Sequence, residues 1–276
     1  MNAPVLDLTD THCHLDLSTF DADLTNVLER AAKNGVKRIL IPGINLDSSR
    51  KAVQLAEEHP GVYAAVGVHP HRSSSWNDAV AQELRALTQS PSVRAIGEIG
   101  LDFYRNLSPQ DVQRRVFQAQ LALAAEVGLP VVVHSRQALT EVLADLLPWA
   151  EQLPKTLRTR AGVLHAYSGD LEAASRAFAG GFYVGIGGPL TYRKAQDLRD
   201  ITARMPTDRL LLETDAPYLT PHPYRHQRNE PAHVRLVAQE LSKLFGIEET
   251  AIAQITSQNA ANLFGWNNGS KSNHIL

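Results

Sequence analysis

Six side chains able to hold a divalent cation stand at the ends of apolar runs: His12, His14, Glu98, His134, His165 and Asp215. The runs are VLDLTD before His12, VRAIG before Glu98, PVVV before His134, AGVL before His165 and RLLLET before Asp215. Each reads as a buried strand, and parallel strands laid side by side would deliver all six side chains to one end of a sheet. Six nitrogen and oxygen donors are more than one tetrahedral zinc needs. They suit two divalent ions bridged by a carboxylate and a water, a pair that lowers the pKa of the bridging water and clamps both oxygens of a displacement at phosphorus. On this reading His12, His14 and Asp215 serve one ion, His134 and His165 the other, and Glu98 lies between them. Asp215 also takes the nucleophile's proton. Mixed imidazole and carboxylate donors suit zinc, manganese or, less well, magnesium.

The donors differ in how much each says alone. In an extended segment alternate side chains point the same way, so His12 and His14 can reach one ion. A lone HxH is weak; its place straight after the first strand gives it weight. Glu98 sits between Gly97 and Gly100 in an apolar strand, where a carboxylate needs a cation or hydrogen bonds to be buried. Pairing with Arg105 is the plainer alternative, and Asp102 suits capping of the loop beyond. His134 and His165 occupy equivalent positions on successive strands. Glu213 precedes Asp215 by two residues, so both can face a barrel axis. His69 and His71, in VGVHPHR, end the third run with Pro70 between them. They fit a loop role, a substrate contact or support of the metal ligands.

The elements that must position these groups follow from the hydrophobic pattern. Short β-branched runs recur at about 5–10, 37–42, 62–68, 93–97, 130–133, 161–164, 182–186 and 209–213, separated by amphipathic stretches. One helix begins at Asp21 and stops at Gly35; another opens with Ser108 as cap and Pro109 in its first turn and stops at Gly128. The remaining helices are expected near 48–59, 76–89, 137–147, 170–180, 193–204, 230–245 and 248–263. Eight such units fit a single-domain α/β protein, a (β/α)8 TIM barrel over 1–266 with a polar tail over 267–276. An open doubly wound sheet would carry a glycine-rich phosphate loop where THCHLD stands. The net charge of −2 across 276 residues weighs against coating long stretches of nucleic-acid backbone. A single cysteine, Cys13, excludes a disulfide framework and fits a reducing compartment. With neither a signal-like start nor a membrane-length apolar run, the chain is read as cytoplasmic and free of the membrane.

The strings DTHCHLD, GVHPH, IGEIGLDFY, VVVHSR, LHAYSG, LLLETDAPYLTP and RNEP, in that order, resemble the TatD family of metal-dependent deoxyribonucleases, a branch of the amidohydrolase-like barrels. The resemblance spans about residues 5–266. It implies two, sometimes three, divalent ions held by His12, His14, Glu98, His134, His165 and Asp215, with Glu213 a candidate ligand for the third. It also implies hydrolysis of DNA phosphodiesters, typically 3′→5′ from an end, with roles in DNA repair or fragmentation, and RNA processing in some relatives. DNA ends are then the expected partner, and no obligate protein partner is called for. His69, His71, Arg105, Arg136, Tyr218 and Arg228 are the expected substrate contacts, with Tyr104 and Tyr167 further stacking surfaces. The same barrel could instead hydrolyse a small amide, lactone or ester, or an aminoacyl ester on transfer RNA, or persist as a non-enzymatic scaffold.

Overall fold

The computed structural model describes residues 6–266; the expected tail over 267–276 lies outside the described residues. In chain order the elements are β1 (Leu8–Asp10), α1 (Leu24–Lys33), β2 (Val36–Pro42), α2 (Leu46–Glu58), β3 (Val62–Val66), α3 (Asp78–Leu87), β4 (Val93–Asp102), α4 (Gln110–Val127), β5 (Val131–Arg136), α5 (Leu139–Glu151), α6 (Lys155–Arg158), β6 (Gly162–Leu164), α7 (Leu171–Ala179), β7 (Phe182–Ile186), α8 (Gln196–Thr202), β8 (Leu210–Leu212), α9 (Val234–Phe245) and α10 (Glu249–Phe264). The eight strands form one sheet in sequence order, each parallel to the next. Closure comes beyond the ladders. Thr11 N donates to Leu212 O at 2.9 Å, and Cys13 and Ala216 form a parallel bridge. The sheet is thus the expected (β/α)8 barrel rather than an open doubly wound one.

Two local expectations need correction. β4 does not stop at 97 but runs to Asp102, passing an irregularity between Ile96 and Ile99 where its pairing with β5 shifts. Gly100 does not break it. At φ +135° a Cβ there would stand 2.0 Å from His134 O, so glycine is what lets the two strands approach. At α4, Pro109 occupies the cap position without a side-chain cap bond. Ser108 Oγ instead accepts from Ser74 N at 3.3 Å and donates to His71 O at 3.3 Å, tying this loop to the segment after β3. The stops at Gly35 and Gly128 are as expected, both with left-handed backbone (φ +87° and +71°).

The barrel interior is layered. Leu40, Ala65, Ala95, Val132, Val163, Tyr183 and Leu211, one from each of β2 to β8, cluster with Phe264 and neighbours from α10 and with Trp266. α10 closes the N-terminal end. Its Ser257 hydroxyl donates to Asp7 O and accepts from Thr9, and its Asn259 amide donates to Thr207 O and Leu210 O. The larger apolar cluster fills the space between strands and helices. With a side-chain period of two, the next interior positions after Val132, Val163, Tyr183 and Leu211 are His134, His165, Gly185 and Glu213. The hydrophobic floor and the polar mouth are successive layers of the same strands.

Candidate metal centre

The seam between β8 and β1 sets the first half of the site. Asp10, fully buried, accepts from Thr214 N (2.9 Å), Thr214 Oγ1 (2.6 Å) and His12 N (3.3 Å). Asp215 N donates to His12 O at 2.8 Å, and Asp215 takes a left-handed backbone, φ +55°, which aspartate tolerates better than most residues. These bonds aim His12, His14 and Asp215 at one point. The two Nε2 atoms are 3.3 Å apart. Asp215 Oδ1 lies 3.8 Å from His12 Nε2 and 3.5 Å from His14 Nε2. Cys13, alternating between the two histidines, is buried on the opposite side.

Strands β4, β5 and β6 build the second half around the other oxygen of Glu98. Oε2 faces His12 and His14 at 3.5 and 3.7 Å; Oε1 faces His134 Nδ1 at 3.0 Å and His165 Nε2 at 2.8 Å. Glu98 is therefore surrounded by imidazoles, and Arg105 is not its partner. His134 Nδ1 and His165 Nε2 are 3.2 Å apart. Two nitrogens on one tetrahedral ion with metal–nitrogen distances of 2.0–2.1 Å stand roughly 3.3 Å apart, so both pairs fit a shared cation.

Asp102 does more than cap its loop. Oδ1 accepts from Tyr104 N and Arg105 N at 3.0 and 2.7 Å, while Oδ2 lies 3.1 Å from His134 Nε2 and 2.8 Å from His71 Nε2. An ionised carboxylate only accepts, so each histidine donates its Nε2 proton there. The Nδ1 lone pair of His134 is thereby turned toward Glu98, a carboxylate–histidine arrangement that suits a metal ligand. His69 has the opposite polarity. Its Nδ1 accepts from His71 N at 3.1 Å, so its proton sits on Nε2, 3.5 Å from Glu98 Oε1. Although His69, Glu98 and His134 lie close enough together to hold an ion, His69 is built as a hydrogen-bond donor.

Burial and charge compete throughout the cluster. For His14 burial disfavours the imidazolium, but the Asp215 hydrogen bond and the Glu98 and Asp16 charges outweigh it and lift its pKa to about 9. Burial pushes Glu98 upward, yet His69, His165 and His12 hold it well below the usual carboxylate range. Burial, helped by the neighbouring His134 and His71, outweighs Glu98 and carries His69 down to about 4, keeping it neutral. For Asp102 burial opposes ionisation, and the bonds from His134, Arg105 N and His71 overcome it. Glu213, in the same layer as His134 and His165, accepts from Ala166 N and lies 3.7 Å from His165 Nδ1. Its Oε2 has no hydrogen-bond partner, and Gly185 makes room for it, since a Cβ there would stand 2.0 Å away.

Above the donors opens a cavity of about 720 Å³ whose wall includes Arg72, Arg105, Arg136 and Tyr218. Of the other expected contacts, His69 and His71 also line this cavity, whereas Arg228 and Tyr167 do not. Arg228 is ion-paired with Asp23 at 2.7 Å, donates to Thr19 O and lies over the Phe20 ring, away from this cavity. Tyr167 is buried, its hydroxyl donating to Asp170 O at 2.6 Å, so its ring cannot stack on a base. Sequence reasoning missed Arg72; its position directly after HPH was the available signal.

A parallel eight-stranded barrel with a histidine and carboxylate cluster at the C-terminal ends of its strands belongs to the class of metal-dependent hydrolase barrels. Residues 9–265 match the model of the family described as TatD related DNase, and the chain belongs to that family. It is 38% identical over 257 residues to the uncharacterized metal-dependent hydrolase YabD of Bacillus subtilis strain 168, covering 93% of this chain and 98% of the relative. It is 39% identical over 261 residues to the 3′-5′ ssDNA/RNA exonuclease TatD of Pectobacterium carotovorum subsp. carotovorum strain PC1, covering 92% and 98%. The crystal structure of the TatD homologue YJJV from Escherichia coli K12 superposes with a TM-score of 0.88 at 34% identity, over 96% of this chain and 100% of that one. The protein is thus a metal-dependent hydrolase acting on ester bonds, a nuclease by family. No helix among the described residues is long and apolar enough to cross a membrane.

Proposed function

We propose that this chain is a two-metal exonuclease that removes nucleotides from free DNA ends in the 3′→5′ direction, serving DNA repair or fragmentation. The observation that carries the reading is the division of Glu98. One oxygen faces His12 and His14, the other His134 and His165. In this assignment His12, His14 and Asp215 would hold one divalent ion and His134 and His165 the second, with Glu98 offering one oxygen to each, and zinc, manganese or magnesium as occupants. Glu213, with its free oxygen, is the candidate ligand for a third. When bound, the ions supply Lewis acidity at the phosphate and a water of lowered pKa.

The protein groups supply the rest. Asp215, its side chain 14% exposed at the cavity, accepts the attacking water's proton. The Nε2 proton of His69 is available to a phosphate oxygen. The arginines at the rim favour an anionic substrate over a neutral amide or ester, and the Pectobacterium relative, described as a single-strand DNA and RNA exonuclease, supports a single-stranded end. Oligonucleotides labelled at the 5′ end, single- and double-stranded, should shorten in a ladder with magnesium, manganese or zinc, and stop shortening on chelation or in Glu98→Ala with an unchanged circular dichroism spectrum. Undiminished hydrolysis by metal-free Glu98→Ala, or internal fragments from the outset, would overturn it.

A further inference from the structure

The cavity above the metal centre is chemically two-sided. Arg72 follows β3, Arg105 follows β4 and Arg136 ends β5, three consecutive strands whose ends form one sector of the rim, and all three arginines line the cavity. Among the described residues none of them has an ion-pair partner. Arg136 lies over the Tyr104 ring at 4.1 Å, and the backbone of Tyr104 and Arg105 is fixed by Asp102. Arg105 therefore stands on a held loop, and Arg136, at the end of β5, rests on the ring of that loop's Tyr104. The opposite wall, after β8, β1 and β2, presents Tyr218, Leu17 and Ile44. Free guanidinium groups on a preset frame are suited to phosphate; a tyrosine beside aliphatic carbons is suited to a base.

We propose that Arg72, Arg105 and Arg136 form a binding site for a second, uncleaved phosphate of the strand, next to the one held over Glu98, while the Tyr218 wall receives the terminal base. The inference rests on the exonuclease reading and adds a substrate requirement. An ester carrying only the scissile phosphate leaves the arginine sector unused, so the shortest well-cleaved substrate has two adjoining phosphodiesters.

Trithymidylate supplies two linkages; the same trimer with its uncleaved linkage made a neutral methylphosphonate removes the charge alone. Wild-type kcat/KM should fall about tenfold on this replacement, the size of one lost charge-assisted bond. Arg105→Ala and Arg136→Ala should fall about tenfold on the natural trimer, but by much less on the methylphosphonate trimer, because the two losses remove the same contact. Equal loss on both trimers, or full-rate cleavage of the methylphosphonate by wild type, would overturn the second phosphate site while leaving the exonuclease reading intact. Failure of wild type to cleave either trimer with any of the three metals would overturn the reading itself, and this proposal with it.

Discussion

The floor and the mouth of this barrel are made from the same strands, two residues apart, under opposite rules. At the floor Val132, Val163 and Leu211 pack against α10 and Trp266, with the Trp266 ring stacked on Tyr63 at 4.6 Å and tilted against Phe264 at 4.7 Å. At the mouth His134, His165 and Glu213 take their places. Buried polar atoms without hydrogen bonds occur at both ends, and their character differs. Trp266 Nε1 and Arg94 Nε are isolated atoms on side chains otherwise packed, Arg94 lying over Tyr63 at 5.4 Å. At the mouth the unpaired atoms include His12 Nδ1, His14 Nδ1, His165 Nδ1 and Glu213 Oε2, and the other ring nitrogens of those histidines converge with carboxylate oxygens on a common volume at 2.8–3.8 Å. A buried convergence of this kind is costly without a cation to satisfy it. Packing at the floor holds the strands in the register that makes the convergence possible.

The separation can be tested by substitution at each level. Glu98→Gln keeps shape and removes the charge shared by both halves. It should lower phosphodiester hydrolysis by on the order of 10³-fold and reduce bound metal measured by elemental analysis, with secondary structure retained. Asp102→Asn is the sharper probe. The asparagine oxygen can still accept from Tyr104 N and Arg105 N, but the NH2 that replaces Oδ2 cannot accept the Nε2 protons of His134 and His71. Metal affinity, by titration calorimetry, should weaken about 10- to 100-fold; an unchanged affinity would reduce Asp102 to a loop cap.

The floor and the convergence of donors at the mouth were legible from sequence for one reason. Each strand is a short apolar run, and each donor interrupts the pattern just where the run ends. What required the fold was anything set by neighbours across strands. Gly97 and Gly100 read as the end of a strand, and only the 2.0 Å approach to His134 O explains why β4 continues through glycine to Asp102. Asp102 looked like a loop cap because nothing local indicates that β5 brings His134 beside it. Arg136 and Arg228 were indistinguishable as loop arginines. Arg228 is neutralised by Asp23, 205 positions away, whereas Arg136 meets an aromatic face and no carboxylate. Tertiary charge pairing of that kind leaves no trace in spacing.

A smaller effect should follow at the layer boundary. Gly185→Ala puts a methyl 2.0 Å from Glu213 Oε2; the carboxylate must turn away and release Ala166 N. Activity should drop about tenfold or less, with about 1–3 kcal/mol of stability lost to the crowding.

The smallest effect on chemistry, and the strictest test of the separation, belongs to Leu211→Ala. Leu211 is fully buried among the floor residues, directly beneath Glu213 on β8. Truncation leaves a cavity and should cost about 2–5 kcal/mol, lowering the melting temperature by roughly 2–4 °C for each kcal/mol in a chain of this size. The candidate donors after β1 and on β5 are held by their own bonds: Asp10 to Thr214 and His12, Asp102 to His134. Measured well below the melting temperature, metal affinity and kcat should therefore stay within about threefold of the parent, the range left to substitutions away from the reacting groups. A larger loss of metal affinity at full folding would mean that the floor sets ligand geometry directly, and the two layers would have to be treated as one cooperative unit.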